Sequence, residues 1–190
     1  MLKYLHIFIF LLTHDLTELK QYWETETLKK KFTWGRIVRY FIFTKTKYLN
    51  KYLFWYRLAY FMSRSNNRKI AKTGINLSIK NNLKHGIDIS ILAEVGIGLN
   101  IWHYTGVVIS SRAKIGNNFN VSSGVVIGFK NYEQEGNIKI GNNVMIGANS
   151  VIFSQNLTIG DNVKIGAMSF INKDIPNNCT VYTEKTNKII

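Results

Sequence analysis

Ile140-GNNVMIGANSV and Ile159-GDNVKIGAMSF each place an aliphatic residue followed by glycine at every sixth position. Apolar residues on one face of a helix return every three or four positions, and those on one face of a strand return every two. A period of six fits neither pattern and is typical of short strands separated by turns. These stretches therefore predict a parallel β-helix in which each hexad forms one side of a three-sided coil.

The same period extends towards the N-terminus through Ile115, Val121 and Ile127. Each leading Ile or Val is expected to point into the coil and to stack on its counterparts above and below, which removes apolar surface from water. The span from about Ile87 to Ile175 accommodates roughly four to five coils, above the minimum of about three. A β-sandwich with evenly spaced strands is the alternative interpretation.

Between the aliphatic positions, Asn, Asp and Gly tolerate the left-handed backbone that tight corners need. The expected corner residues are Asn117, Asn118, Asn142, Asn143, Asp161 and Asn162. One interval departs from the period, because Ile146 and Ile159 are thirteen residues apart and not twelve. This interval predicts a one-residue bulge at about Ile152 and Phe153.

Five motifs resemble a known family: Gly86-IDIS, Ile101-WHYTG, Val125-VIG, Ile138-KIGNNVMIGANSVI and Ile165-GAMSFINKDIP. They are similar to the hexapeptide-repeat acyltransferases, within the serine acetyltransferase branch that includes bacterial polysaccharide O-acetyltransferases of the colanic-acid type. The resemblance covers a little over half of the chain. It implies a left-handed β-helix, a homotrimer with active sites between subunits, and acetyl-CoA as the acyl donor.

The resemblance also points to catalytic residues. His103 stands where the resembling enzymes have a catalytic His before Thr-Gly, and a neutral imidazole is suited to take a proton from an acceptor hydroxyl. Asp88 precedes it by fifteen residues, close to one coil of about eighteen, and is expected to orient the imidazole. A structural His on the coil surface and an Asp at a coil corner are the alternative interpretations.

In the resembling enzymes, coenzyme A lies in a groove between subunits, and only small residues let it approach the backbone. Motif matching assigns this role to Gly128, Ala148 and Ala167. Lys164 and Lys185 are candidates for contacts with the coenzyme A phosphates. The repeat region has just two of the four His residues, so no metal is expected.

The segment 129–139 interrupts the period and is expected to form a loop over the active site, as in the resembling enzymes. The serine-specific enzymes have a second His where this chain has Asn137, and Gly-Glu where it has Ser110 and Ser111. These departures favour a neutral sugar hydroxyl as the acceptor over free serine. The residues expected to bind it are Trp102, Tyr104, Tyr132 and Asn137, with Phe129 as a further aromatic contact.

The sequence therefore predicts an acetyl-CoA-dependent O-acetyltransferase that modifies a bacterial capsular polysaccharide, an exopolysaccharide or its precursor. A serine O-acetyltransferase of cysteine biosynthesis is one alternative. A non-catalytic trimeric scaffold is another.

Composition divides the chain at about residue 75. Residues 1–75 hold 15 Lys and Arg against 4 Asp and Glu, a balance of +11, whereas residues 76–190 hold 10 against 7, a balance of +3. We therefore expect a basic, aromatic helical region over 1–75 and the β-helix over 76–190. The single Cys179 excludes an internal disulfide and suits a reducing compartment.

The basic N-terminal region suggests a role at a membrane surface. Within Tyr48-LNKYLFWYRLAYFMSR, an apolar stripe includes Tyr52 and Tyr56, with Lys51 and Arg57 off it, as in helices that lie on anionic membranes. Packing on the β-helix or on another subunit is the alternative. No nucleic-acid-binding module is recognisable. The apolar start is too short to span a membrane and lacks a cleavage site, which favours a cytoplasmic protein, peripheral at the inner membrane face.

Overall fold

The computed structural model describes residues 2–43, 48–131 and 133–184. The chain forms two compact units, Met1–Ile87 and Asp88–Ile190. We call them the helical unit and the β-helix.

The helical unit contains five α-helices and one π-helical segment. Its helices are α1 (Leu2–Thr13), α2 (Thr17–Tyr22), the π-helix (Trp23–Leu28), α3 (Trp34–Phe43), α4 (Tyr48–Ser63) and α5 (Arg68–His85). The side chain of Asn67 caps α5 by accepting from the N–H groups of Lys69 (3.0 Å) and Ile70 (3.3 Å), and Gly86 ends the helix with a φ of 63°. The compositional boundary at residue 75 thus lies inside α5, and the two compact units divide after Ile87.

Helix α4 forms the centre of the helical unit. Tyr52, Leu53 and Tyr56 are at most 2% exposed, because α5 and the π-helix pack against α4. Gly74 permits the close approach of α5, since a Cβ there would lie 2.6 Å from the backbone nitrogen of Ser63. The stripe on α4 that was expected to face a membrane is therefore part of the core.

Arg57 is also buried and does not face solvent or lipid. Its guanidinium donates to Glu26 through Nε (2.8 Å) and Nη2 (2.7 Å), and it lies 4.1 Å from the ring centroid of Tyr22. Burial acts to lower the pKa of Arg57, but the Glu26 carboxylate holds that pKa above its ordinary value. In the sequence, Arg57 lies off the apolar stripe, and the interpretation that it meets lipid headgroups was wrong, because the residue pairs with Glu26, 31 residues away in the chain.

The β-helix contains fourteen short strands among its described residues. They are β1 (Asp88–Ile89), β2 (Glu94–Val95), β3 (Asn100–Trp102), β4 (Val108–Ile109), β5 (Ala113–Ile115), β6 (Asn120–Ser122), β7 (Val126–Gly128), β8 (Ile138–Ile140), β9 (Met145–Ile146), β10 (Val151–Phe153), β11 (Leu157–Ile159), β12 (Lys164–Ile165), β13 (Phe170–Ile171) and β14 (Thr180–Val181).

The strands form three parallel sheets, one for each side of the coil. Face A has the order β1-β4-β7-β10-β13, face B has β2-β5-β8-β11, and face C has β3-β6-β9-β12-β14. The hexad-leading residues are at most 5% exposed: Ile115, Val121, Ile127, Ile140, Ile146, Ile159 and Ile165. The prediction of a parallel β-helix with an aliphatic interior is confirmed.

An asparagine ladder runs along the corner between faces B and C. Asn118, Asn143, Asn162 and Asn178 have φ values of 56° to 61°, in the left-handed region where Asn is tolerated. The amide of each donates to that of the next at 2.9 to 3.0 Å. The predicted corner role of Asn118, Asn143 and Asn162 is therefore confirmed.

Four corners depart from the six-residue period, and the last is a shorter one, since Ile175, which pairs with Ile159, follows Ile171 by only four residues. The other three are longer. Val108 follows Asn100 by eight residues, although the equivalent Val126 follows Asn120 by six. The second departure is the segment 129–137 between β7 and β8, and the third is the corner 154–156 between β10 and β11. The bulge predicted at Ile152 and Phe153 was wrong in position, because both residues pair regularly with β7, and the extra residue lies in the corner that follows.

Candidate active site

His103 occupies the corner between faces C and A that holds the two extra residues. It directly follows β3, its side chain is exposed, and its φ is 52°. Left-handed backbone is uncommon for residues other than Gly, although His adopts it more often than most, and such conformations concentrate at functional sites. The corner thus projects an imidazole from the coil surface.

A column of small residues continues along this corner, beginning two residues after His103. The N–H of Gly124 donates to the carbonyl of Thr105, and the same pattern repeats in each following coil. The column consists of Thr105, Ser123, Ala148 and Ala167. The structure therefore brings two of the predicted coenzyme A residues, Ala148 and Ala167, to the corner that carries His103.

Asp88 lies on face A, at the edge next to this corner. Its N–H donates to the carbonyl of Val107 at 2.7 Å, and its partner in the next coil is Val108, twenty residues on. One coil therefore spans twenty residues here, and not the fifteen that separate Asp88 from His103. The chain nevertheless runs from His103 through the corner to Val107, which contacts Asp88. The Asp88 side chain is exposed, and no hydrogen bond joins it to His103 among the described residues.

The loop 129–137 leaves the opposite edge of face A, and Arg112 holds it in place. Its guanidinium donates to the carbonyls of Gln134 and Asn131 and lies 4.4 Å from the ring centroid of Phe129. Phe129 is only 1% exposed, so its expected role as an acceptor contact was wrong: the ring is the buried base of the loop.

Gln155 fixes the loop from the next coil. Its side-chain NH2 donates to the carbonyls of Gln134 (2.8 Å) and Glu135 (2.9 Å), and its oxygen accepts from the N–H of Asn131 (3.1 Å). Gly136 is required here, because a Cβ would lie 2.2 Å from the Gln155 carbonyl. The thirteen-residue interval that brings in Gln155 was visible in the sequence, whereas nothing in the sequence marked Arg112.

The other predicted acceptor residues are spread over two edges. Trp102 lies on face C, is 53% exposed and directs Nε1 towards Asn120 Oδ1 at 3.4 Å. Tyr104, half-buried, follows His103 in the same corner. Asn137 ends the loop, where its N–H donates to Asn156 Oδ1 at 3.2 Å. Tyr132 lies outside the described residues.

The remaining coenzyme A candidates do not share the His103 corner. Gly128 lies in β7 on face A beside the loop, and a Cβ there would meet only Phe153 and Ser110, at ordinary contact distances of 3.7 to 3.9 Å. Contacts within the chain therefore do not require a glycine at position 128. Lys164 is exposed on β12 of face C. Lys185 lies outside the described residues.

Within residues 2–43, 48–131 and 133–184, the structure has no group of three or more His, Cys, Asp or Glu residues arranged to hold a metal ion. None of the helices in the same ranges combines the length and hydropathy that crossing a membrane requires.

Comparison with known proteins bears on this arrangement. Residues 137–173 match the family "Bacterial transferase hexapeptide (six repeats)". With its three parallel sheets, the β-helix has the left-handed fold of the hexapeptide-repeat acyltransferases, as the resemblance implied. No curated protein matches the chain significantly.

Serine acetyltransferases are among the similar solved structures. Soybean serine acetyltransferase is 28% identical over 73% of this chain and 56% of its own, with a TM-score of 0.64. A Neisseria gonorrhoeae serine acetyltransferase is 32% identical over 69% of this chain and 51% of its own, with a TM-score of 0.59. Its complex with serine aligns over 99% of this chain and 73% of its own, at 26% identity and a TM-score of 0.68. The chain thus spans about half the length of the first two.

Proposed function

We propose that this protein is an O-acetyltransferase that moves the acetyl group of acetyl-CoA to a hydroxyl group, with His103 as the general base. The observation that carries the proposal is the corner at His103, where an exposed imidazole with left-handed backbone stands at the head of a column of small residues. The family and the similar structures support the same reaction class.

In the proposed reaction, neutral His103 takes the proton of the acceptor hydroxyl as its oxygen attacks the thioester carbonyl carbon of acetyl-CoA. The carbonyl π electrons move to oxygen, which forms a tetrahedral intermediate. When the carbonyl re-forms, the carbon–sulfur bond breaks. The coenzyme A thiolate then takes the proton from the His103 imidazolium. Asp88 is the proposed positioning residue, since a carboxylate at the same corner favours the imidazolium that forms in this step.

The proposed donor site follows the column that contains Ala148 and Ala167. A pantetheine arm needs small side chains along its path to reach backbone groups, and this column supplies them next to His103. Lys164 and Lys185 remain candidates for phosphate contacts. Acetyl-CoA is the only cofactor that the proposal requires.

We infer a homotrimer with active sites between subunits. In one copy, His103 lies at one edge of face A, whereas Gly128 and the loop 129–137 lie at the other. A closed ring of copies uses head-to-tail contacts, in which one edge of each copy meets the opposite edge of the next. Such a ring brings Gly128, Asn137 and the loop of one copy to the His103 corner of its neighbour.

L-serine is the acceptor that the comparisons favour, because the similar structures are serine acetyltransferases and one contains serine. A sugar hydroxyl of a bacterial surface polysaccharide is the second candidate. Three departures at Asn137, Ser110 and Ser111 favour it, together with Arg112, whose guanidinium is engaged with loop carbonyls and does not offer its charge to an amino-acid carboxylate.

Release of free thiol from acetyl-CoA distinguishes these acceptors. The purified protein is tested with L-serine and, separately, with capsular polysaccharide or exopolysaccharide from the source strain. Release with serine alone identifies a serine O-acetyltransferase, and release with the glycan alone identifies a polysaccharide O-acetyltransferase. The absence of release with both acceptors would contradict the proposal and favour the scaffold interpretation.

We also propose that the helical unit holds the protein at an anionic membrane surface, at the inner face of the cell membrane where glycan precursors are assembled. The +11 balance of residues 1–75 supports this role, because basic segments are attracted to anionic lipid headgroups. Flotation with anionic vesicles tests it. A protein that stays at the bottom of the gradient with anionic and with neutral vesicles would contradict it.

A further inference from the structure

A basic groove opens between helices of the helical unit and has a cavity volume of about 440 Å³. Four lysines line it: Lys3 from α1, Lys51 from α4, and Lys80 and Lys84 from α5. The rings of Tyr4 and Trp55 lie in the same wall. We call this the lysine groove.

Acidic residues are absent from the four helices that form the lysine groove. Neither α1, α3, α4 nor α5 contains an Asp or Glu, and all four acidic residues of the helical unit lie between Asp15 and Glu26. Glu26 is itself buried against Arg57. Throughout the described part of the chain, no carboxylate lies within ion-pair distance of the four groove lysines.

Four ammonium groups around one cavity, none of them paired with a carboxylate among the described residues, make a site for a strongly anionic ligand. Each contributes three donors that rotate freely, which suits the oxygens of a phosphate group. His85 also lines the groove, and its Nδ1 is 2.9 Å from the carbonyl of Asn81. A carbonyl only accepts, so Nδ1 carries a proton and donates, and Nε2 is the nitrogen left for a ligand.

An apolar surface adjoins the lysine groove on the same helix. Leu2, Leu5, Phe8 and Leu12 of α1 are 52% to 71% exposed, and Lys3 and Tyr4 of that helix line the groove. Contiguous exposed apolar patches mark interaction sites. A ligand that fits both features has a phosphate group attached to a large apolar body.

We propose that the lysine groove binds the phosphate headgroup of an anionic phospholipid, with the exposed face of α1 in contact with the acyl-chain region. Basic residues beside an apolar helix face are the arrangement by which peripheral proteins bind anionic membranes. This inference deepens the membrane association proposed above and is independent of acetyl transfer. It assigns membrane binding to α1 and the groove and not to the apolar stripe of α4 around Tyr52 and Tyr56, which is buried.

Flotation of the full-length protein tests the site with a matched pair of variants. The vesicles are phosphatidylcholine with or without phosphatidylglycerol. Lys80→Gln combined with Lys84→Gln removes two groove charges, whereas Lys69→Gln combined with Lys72→Gln removes two exposed charges of the same helix outside the groove. We expect the groove variant to lose vesicle affinity by about 30-fold, and the control to lose much less. Equal losses would show diffuse attraction and overturn the groove as a site.

A second pair of measurements separates the apolar contact and the source of the phosphate. Leu5→Ser with Phe8→Ser is expected to abolish flotation without changing the mass of the assembly in sedimentation. A smaller assembly would assign the α1 face to a second copy of the chain and overturn the proposal. Inorganic phosphate that titrates the wild type but not the groove variant, together with no flotation, would assign the groove to a soluble phosphate and also overturn it.

The membrane association and the lysine groove can fail separately in these experiments. If the wild type does not float with phosphatidylglycerol vesicles, the membrane association itself fails. If it floats and both lysine pairs behave alike, only the lysine groove fails. Thiol release from acetyl-CoA is expected to be unchanged in every one of these variants, because none alters a residue of the β-helix.

Discussion

The two units of this protein use polar residues in opposite ways. In the β-helix, the asparagines of the ladder from Asn118 to Asn178 lie at corners and repeat from coil to coil. In the helical unit, an ion pair and the Tyr56 hydroxyl are fully buried, and neither repeats. A repeat makes every departure visible, so the His103 corner and the loop stand out. A helical unit offers no such reference.

The largest difference in stability is expected between the two ion pairs. Glu26→Gln leaves the buried Arg57 charge without its partner and is expected to lower the free energy of unfolding by about 3–5 kcal/mol. Lys114 and Glu94 form an exposed pair in the β-helix at 3.1 Å, and Glu94→Gln is expected to cost at most about 1 kcal/mol. Urea unfolding of both variants measures this. Similar losses of unfolding free energy in the two variants would show that burial does not determine how much an ion pair contributes.

The interior of the β-helix is expected to be sensitive to lost volume. Ile146 is fully buried between its neighbours in adjacent coils, so Ile146→Ala should cost about 2–5 kcal/mol, and Ile146→Val about 0.5–1.5 kcal/mol. Thermal unfolding followed by circular dichroism measures both. A loss near zero for the alanine variant would mean that the coils do not depend on tight stacking.

The asparagine ladder gives a smaller effect that separates backbone from side chain. Asn143→Ala keeps a Cβ at a φ of 56° but removes the side-chain amide that bonds within the ladder. We expect this change to lower the free energy of unfolding by about 1–2 kcal/mol. Asn143→Gly removes the same two ladder hydrogen bonds but accepts the backbone. We expect glycine to be the milder change in urea unfolding. If glycine were the more harmful, the ladder bonds would outweigh the backbone.

The smallest effect concerns Tyr56, whose buried hydroxyl has no hydrogen-bond partner among the residues that the structure describes. Burial raises its pKa to about 12, against about 10 in an unfolded chain. The folded state thus keeps this proton over a range in which the unfolded state loses it, so stability falls as pH rises from about 10 towards 12.

Tyr56→Phe is the control for that titration. We expect it to match or exceed the wild-type stability at pH 7, because it removes an unpaired buried hydroxyl, and to lose stability less steeply above pH 10. Urea unfolding at pH 7, 10 and 11 checks both statements. A large loss in Tyr56→Phe at pH 7 would reveal a partner for the hydroxyl.

These contrasts also explain how far the sequence was informative. Within a hexad, the pattern of six neighbouring residues is enough to show which one faces inward. The coil interior and the left-handed corners at Asn118 and Asn143 were therefore predictable. The inward side of α4 depends on distant partners, because Arg57 meets Glu26 from 31 residues away. Amphipathic spacing alone did not distinguish a core helix from a membrane-facing one.

The candidate site divides in the same way. The motif marked His103, and the six-residue register then carried Ala148 and Ala167 to its corner. The loop was visible as an interruption, but its attachments through Arg112 and Gln155 were not, since they use backbone carbonyls whose positions follow only from the folded loop. The expectation that Phe129 contacts the acceptor failed for the same reason.

The role of His103 is tested most directly by thiol release from acetyl-CoA, with whichever acceptor supports turnover. Wild type is compared with His103→Ala and with Lys80→Gln combined with Lys84→Gln. His14 of the helical unit provides a matched control through His14→Ala. We predict that His103→Ala lowers turnover by roughly 10²- to 10⁴-fold, while the other variants keep the wild-type rate. Retention of turnover by His103→Ala would contradict the central claim that the chemistry of this protein resides at that corner.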